Sequence, residues 1–213
     1  MTDRPADLDF FWDPVCPWAW ITSRWVHEVI AERGIEVDWR PISLKVLNEE
    51  KGYPPELVER YTKSHGLGFA LLKVAAAARE RHGPAVIGEL YTAFGRRIHV
   101  EREAPSLRTP EGIAAVLESC GLDAGLADAT ITDTFEAEVR TETAVALERA
   151  GKDVGTPVLT FGPPDGYSFF GPVIAKAPVG AEAARLWDTV TALASFPGFA
   201  ELKRSIRNTP EVS

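Results

Sequence analysis

Phe10 to Trp25 reads FFWDPVCPWAWITSRW, and the order of residue types in it decides the fold. Asp9 to Trp12 (DFFW) is a short aromatic run ended by the turn pair Asp13-Pro14, which predicts a buried strand. A helix begins at Pro17, because proline suits the first helical position, where its missing N–H is not needed. Trp18, Ile21, Trp25 and Val29, with Val26 and Ile30 alongside, recur at helical spacing, and Gly34 closes the helix. Ile35 to Leu44 (IEVDWRPISL) alternates apolar and polar residues as far as Trp39, meets Pro41, and reads as a second strand. Strand, helix, strand is the unit that builds a parallel sheet with its helix packed on one face.

Working outward, the character changes after Pro54. Helical periodicity predicts helices over Pro54 to Ser64, Phe69 to Arg81, Pro84 to Ile98, Thr109 to Cys120 and Asp133 to Ala150. Thr109-Pro110-Glu111 is a helix start with a capping hydroxyl, proline at the first position and an early acid. Strand signals return at Val158 to Phe161 and Tyr167 to Phe170, joined by the turn-forming Gly162-Pro163-Pro164-Asp165-Gly166. A last amphipathic helix carries Ala183, Leu186, Trp187, Val190 and Leu193 on one face, and a short helix over Pro197 to Ile206 is expected after it. The order β-α-β, helices, β-β-α is that of an α/β, thioredoxin-like fold with a large all-helical insertion. The division expected is a thioredoxin-like domain over 1–45 and 151–213, with a helical lid over 46–150.

The chain has 213 residues, 45% of them apolar and 25% charged, which excludes disordered, collagenous and low-complexity classes. Lysine and arginine total 23 against 31 acids, a net charge of −8. No basic run appears along the sequence, so a nucleic-acid partner is disfavoured. No run approaches the ~18 apolar residues of a membrane span. The aspartate-rich first residues lack the basic-then-apolar order of a signal peptide, and the chain reads as cytoplasmic. Two cysteines, Cys16 and Cys120, cannot make a disulfide framework, and a cytosol keeps both reduced.

Cys16 stands between a strand end and a helix start, so its sulfur should lie near the unpaired N–H groups of the first turn. Those groups and the helix dipole favour negative charge, which predicts a lowered thiol pKa and a nucleophile; the bland alternative is a small buried hydrophobe. The second signal is Val154-Gly155-Thr156-Pro157 before a strand. In a thioredoxin-like fold this proline is typically cis and lies against the reactive cysteine, with Thr156 offering backbone hydrogen bonds to a substrate. A dithiol enzyme uses C-x-x-C, but the motif here is Cys16-Pro17-Trp18-Ala19, so the resolving thiol is absent. Cys120 falls on the apolar stripe of its helix and reads as structural. A monothiol route with an external thiol follows. Trp18 is a candidate hydrophobic wall for a planar substrate, and His99 at a helix end is a candidate substrate contact or C-terminal cap. The four histidines share no metal-ligand spacing, and no G-x-G-x-x-G or P-loop occurs, so no metal and no nucleotide are expected.

The stretch FFWDPVCPWAWITSRW resembles the active-site segment of the actinobacterial DsbA-like proteins described as mycothiol-dependent nitroreductases. Ser43 to Glu49 (SLKVLNE), Leu90 to His99 (LYTAFGRRIH), Asp153 to Pro157 (DVGTP), Phe169 to Lys176 (FFGPVIAK) and Phe199 to Arg204 (FAELKR) match in order along nearly the whole chain. The resemblance implies a cytosolic thioredoxin-fold oxidoreductase that uses mycothiol as its small thiol, acts on disulfides or nitroaromatic compounds, and forms a homodimer. By position it makes Cys16 the nucleophile and Pro157 the cis-proline, and puts Trp18, Asn48 and His99 in pocket segments. Ala19, where dithiol members carry cysteine, argues against a cycle closed by an internal disulfide. Kappa-class glutathione transferases and hydroxychromene carboxylate isomerases, wider relatives of the fold, also lack the pair and bind a thiol for transfer or isomerisation.

Three readings follow. In the leading one, Cys16 forms a mixed disulfide with mycothiol and is freed by a second mycothiol, with Pro17, Trp18, Ala19, Asn48, His99, Thr156 and Pro157 around the bound thiol. In the second, mycothiol is itself the nucleophile of a transferase or isomerase and Cys16 orients it. In the third, the platform and lid bind a ligand without catalysis.

Overall fold

Strand β1 (Leu8–Trp12) is buried along its whole length because it has a strand on each side and helices over both faces. The computed structural model describes residues 6–204 and 208–212. In chain order β1 is followed by α1 (Pro17–Arg33), β2 (Val37–Pro41), α2 (Leu44–Leu47), α3 (Val58–His82), α4 (Ile87–Gly95), α5 (Pro110–Ser119), α6 (Glu136–Ala150), β3 (Val158–Phe161), β4 (Tyr167–Phe170) and α7 (Gly180–Ala194). The strand order is β2-β1-β3-β4. β1 pairs parallel with β2, Leu8 opposite Val37, and antiparallel with β3, Leu8 opposite Phe161; β4 extends the sheet antiparallel to β3. This is the mixed sheet of a thioredoxin-like fold, with the helical insertion between β2 and β3.

Alternation along β1 sorts its residues onto two unlike faces. Leu8, Phe10 and Trp12 join Trp25, Val26 and Val29 of α1 in the main core. There the Trp25 indole N–H donates to the Ala183 carbonyl at 3.0 Å, locking α1 against α7, and Trp12 stacks on Tyr91 of α4 with ring centres 4.2 Å apart. Phe11 and Val158 face the other way, against Ala146 of α6. Asp9 is on that second face too, where both Arg40 and Arg149 reach its carboxylate at 2.7 Å, and Arg40 also holds Glu142. A buried aspartate in the central strand is thereby matched by two guanidinium groups. The same contacts fasten α6, the end of the insertion, back onto the sheet.

Several helices differ from the periodicity. The two expected over Pro54 to Ser64 and Phe69 to Arg81 are one continuous helix, α3, preceded by a short 3-10 turn, Pro55–Leu57. Gly66 and Gly68, in the gap between the two expected helices, lie inside it. A side chain at 68 would run into Asp13 Oδ1, so this glycine marks close packing rather than a helix end. β2 stops at Pro41, and Ser43 leaves the strand to cap α2, its Oγ accepting from Val46 N–H at 3.4 Å. The helix expected over Pro84 to Ile98 is α4 flanked by a 3-10 turn, Pro84–Val86, and a π-turn, Arg96–Val100. A 3-10 segment, Ala124–Thr130, was not legible in the sequence at all. The expected helix at Pro197 does not form over 197–204: Pro197-Gly198 makes a turn, with Gly198 at φ +87°, and residues 205–206 lie outside the described residues. No helix among the described residues is long and apolar enough to cross a membrane.

Candidate active site

Cys16 is the N-cap of α1. Its backbone is extended, its carbonyl accepts from Trp20 N–H at 3.0 Å, and its Sγ accepts from Ala19 N–H at 3.5 Å. From the turn before β3 the Thr156 carbonyl comes within 3.4 Å of Sγ and accepts a hydrogen bond from the thiol. The Thr156–Pro157 peptide bond is cis, as the sequence reading expects. Residues 140 positions apart thus meet at one sulfur because β1 and β3 are neighbours in the sheet and both the Cys16 turn and Thr156 lie at the same end of them.

The thiol itself departs from the sequence reading. Cys16 is 5% exposed, and burial pushes its pKa up to about 12. The N–H groups of Ala19 and Trp18 oppose the rise, and the negative charge of Asp13 adds to it. The helix start does stabilise a thiolate, but two weak N–H contacts recover only part of the hydration that a buried sulfur anion forgoes. The resting group is a protonated thiol.

Asp13 is fully buried in the turn before α1, whose Cys16 N–H donates to the Asp13 carbonyl at 3.1 Å. Its carboxyl accepts from Leu44 N–H at 2.8 Å and Val15 N–H at 3.1 Å, so one side chain ties the Cys16 turn to the start of α2. Burial outweighs those two donors and raises its pKa to about 7. In the sequence it reads only as a turn former.

His99 is brought in by the π-turn after α4. Its Nε2 lies 2.9 Å from the Pro14 carbonyl, which can only accept, so Nε2 carries the hydrogen and Nδ1 is a bare acceptor. Burial lowers its pKa to about 4, against the Pro14 contact, and the ring is neutral at pH 7. The imidazole stacks on Trp20, centres 5.7 Å apart, and the Arg24 guanidinium lies 3.9 Å from the same indole. The buried tryptophan of the motif is therefore Trp20; Trp18 is half-buried on the first turn of α1.

A cleft of about 460 Å³ opens beside the cysteine. Val15 and Pro17, the neighbours of Cys16, form one wall with Leu67 of α3, Ile98 and His99, and Arg60, Lys63 and Arg108 lie around it. The sequence shows no run of basic residues, yet the fold gathers these three. Arg60 and Lys63 are three apart on α3, a spacing that puts them on one face, and Arg108 joins them through a hydrogen bond to the Lys63 carbonyl at 3.2 Å. Asn48 is not among the lining residues; its side-chain amide donates to the Leu44 carbonyl at 2.7 Å and closes α2. Ala19 is fully buried, its methyl in the place of a resolving thiol. Cys120 ends α5, partly buried against the main core.

The family model described as "Rv2466c-like: Mycothiol-dependent nitroreductase Rv2466c" matches residues 15–204. Over 198 residues the chain is 31% identical to the uncharacterized protein Rv2286c of Mycobacterium tuberculosis, covering 92% of this chain and 81% of that one. Among solved structures it is similar to a "probable DsbA oxidoreductase" from Streptomyces coelicolor, with 18% identity, 98% of both chains covered and a TM-score of 0.57. It is also similar to a 2-hydroxychromene-2-carboxylate isomerase, with 16% identity, 87% and 93% covered and a TM-score of 0.58. At those identities the structures establish the fold alone, and it is the DsbA-like one. The match over residues 15–204 contains the Cys16 turn, the helical insertion and the Thr156–Pro157 turn together, and the chain belongs to the Rv2466c-like family of mycothiol-dependent, thioredoxin-fold oxidoreductases.

Proposed function

We propose that the protein is a monothiol oxidoreductase in which Cys16 forms a mixed disulfide with mycothiol. The observation that carries this reading is the Cys16 thiol held between the Ala19 N–H and the Thr156 carbonyl, beside an open cleft and with alanine in the resolving position. Attack by the Cys16 thiolate on a mixed disulfide R–S–S–M, where M is mycothiol, releases R–S⁻ and leaves Cys16–S–S–M. A second mycothiol thiolate attacks the M sulfur, releases Cys16 and forms M–S–S–M. The net reaction is RSSM + MSH → RSH + MSSM. A nitroaromatic substrate uses the same thiol at different stoichiometry, ArNO2 + 2 MSH → ArNO + MSSM + H2O. The cycle belongs in the cytoplasm, where small thiols are kept reduced.

The buried thiol must lose its proton as the substrate enters. We assign that proton to Asp13, the ionisable group in the same turn whose charge acts on the sulfur. Transfer moves a negative charge between two buried sites instead of creating a new one. Ser64 and His99, both lining the cleft, suit the hydroxyl and amide groups of mycothiol. Pro17 and Pro157 shape the walls around the sulfur, and Trp18 is half-buried beside them on the first turn of α1.

The protonated state of Cys16 favours one further reading. A thiol that donates a hydrogen bond can orient and stabilise the thiolate of a bound mycothiol, which then acts as the nucleophile of an S-transferase or isomerase. Cys16→Ser separates the two. Under the first reading it reduces RSSM turnover to background. If the variant keeps at least about a tenth of wild-type turnover, the sulfur is no nucleophile and the second reading takes its place.

A further inference from the structure

We infer that the cleft beside Cys16 holds an organic oxyanion: a substrate with an apolar body and a carboxylate or similar group bound by Arg60, Lys63 and Arg108. This deepens the proposed function, since it assigns the substrate class at the site where that reading puts the chemistry. The residues lining the cleft include three cations and no acid, in a chain whose net charge is −8. Lys63 has one carboxylate partner, Glu59 at 2.7 Å, one turn back on α3. Arg108 spends one N–H on the Lys63 carbonyl, and the Arg60 side chain makes no hydrogen bond or ion pair among the described residues. Two guanidinium groups thus keep most of their donors for a ligand, and a planar fork of N–H groups matches an oxyanion.

The remaining wall is apolar. Val15, Leu67, Ile98 and Ala104 would cover a small hydrocarbon or aromatic body, and the volume is that of a small-molecule site. His99, also on the cleft, is neutral and offers an anion no charge, which leaves the cations as the charged group's partners. Mycothiol is an amide-linked pseudodisaccharide with no ionised group apart from its thiolate, so it brings no anion to Arg60 and Arg108, which have no carboxylate partner among the described residues. The anion therefore belongs to the second reactant, the one that mycothiol reduces or modifies. Positive charge around the cleft mouth would also draw such a substrate to an otherwise acidic protein.

Calorimetric titration with 4-nitrobenzoate and with its neutral analogue 4-nitrobenzamide tests this on the full chain. At low salt the wild type is expected to bind the carboxylate at least about tenfold more tightly than the amide. The preference should vanish in Arg60→Ala/Arg108→Ala, whose changed residues are exposed, and should weaken with added salt. Arg185→Ala, an exposed cation on α7, and Cys16→Ser should both retain it. Equal affinity for the two probes, no binding of the benzoate, or a preference that survives the double substitution overturns the inference. Calorimetry reads binding without turnover. Carboxylate preference in a protein that forms no mycothiol adduct would leave this inference standing and remove the proposed function alone.

Discussion

In the cycle proposed above, Ala19 is the residue that leaves Cys16 without a resolving thiol. Its N–H already contacts Cys16 Sγ at 3.5 Å, so a thiol on the same residue would be well placed to form an internal disulfide. Ala19→Cys is therefore expected to convert the monothiol site to a dithiol one. With oxidised mycothiol, the variant should lose two hydrogens in mass and retain no adduct, whereas a lasting adduct would contradict the geometry. Because Ala19 is fully buried, the added sulfur should also cost about 1–3 kcal/mol, readable by urea unfolding. Both cysteine and alanine are plain in the sequence, and so is the turn that meets them, Thr156-Pro157. What sequence could not supply was the balance at the sulfur. The helix start argues for a thiolate; enclosure by the packed turn argues for a thiol, and enclosure depends on residues from distant segments.

At the scale of elements, α3 positions more of the site than any other helix, carrying Arg60, Lys63 and Leu67 and passing over Asp13. Its two glycines test that description. A Cβ at Gly66 meets nothing within 4 Å, so Gly66→Ala should stabilise the protein by about 0.5–1 kcal/mol through helix propensity. A Cβ at Gly68 collides with the Asp13 carboxylate and crowds Val15, so Gly68→Ala should destabilise by about 1–3 kcal/mol and disturb the Cys16 turn. Equal effects at the two positions in urea unfolding would contradict the packing described. Periodicity could not tell these glycines from a helix break, because the evidence for α3 continuing through them is a tertiary contact. Strand β1, helix α1 and the β3–β4 hairpin were legible for the opposite reason: their boundaries are set by local turn chemistry at Asp13-Pro14, Gly34 and Gly162 to Gly166. The gathering of Arg60, Lys63 and Arg108 needed the fold.

For the whole molecule, buried titratable groups couple stability to pH in opposing directions. His27 and His99 fall from the usual 6.5 to about 4, chiefly by burial. Between those values the unfolded chain binds protons that the folded chain does not, so their contribution is present above pH 6.5 and lost as pH falls toward 4. Asp13 works against them. Its folded carboxyl keeps a proton up to about 7, and the unfolded one releases it near 3.8, so its contribution falls as pH rises across that window. Replacing it by Asp13→Asn should make stability rise more steeply from pH 4 to 7 than in the wild type, measured by urea unfolding at each pH. An unchanged slope would mean that Asp13 titrates normally. Intact mass reads the Cys16 chemistry itself. Reduced protein is mixed with oxidised mycothiol, with glutathione disulfide as the control, and any adduct is mapped by peptide digestion. One mycothiol on Cys16, released by added mycothiol, is the expected result. No adduct on Cys16, with its thiol still open to alkylation at high pH, would contradict it.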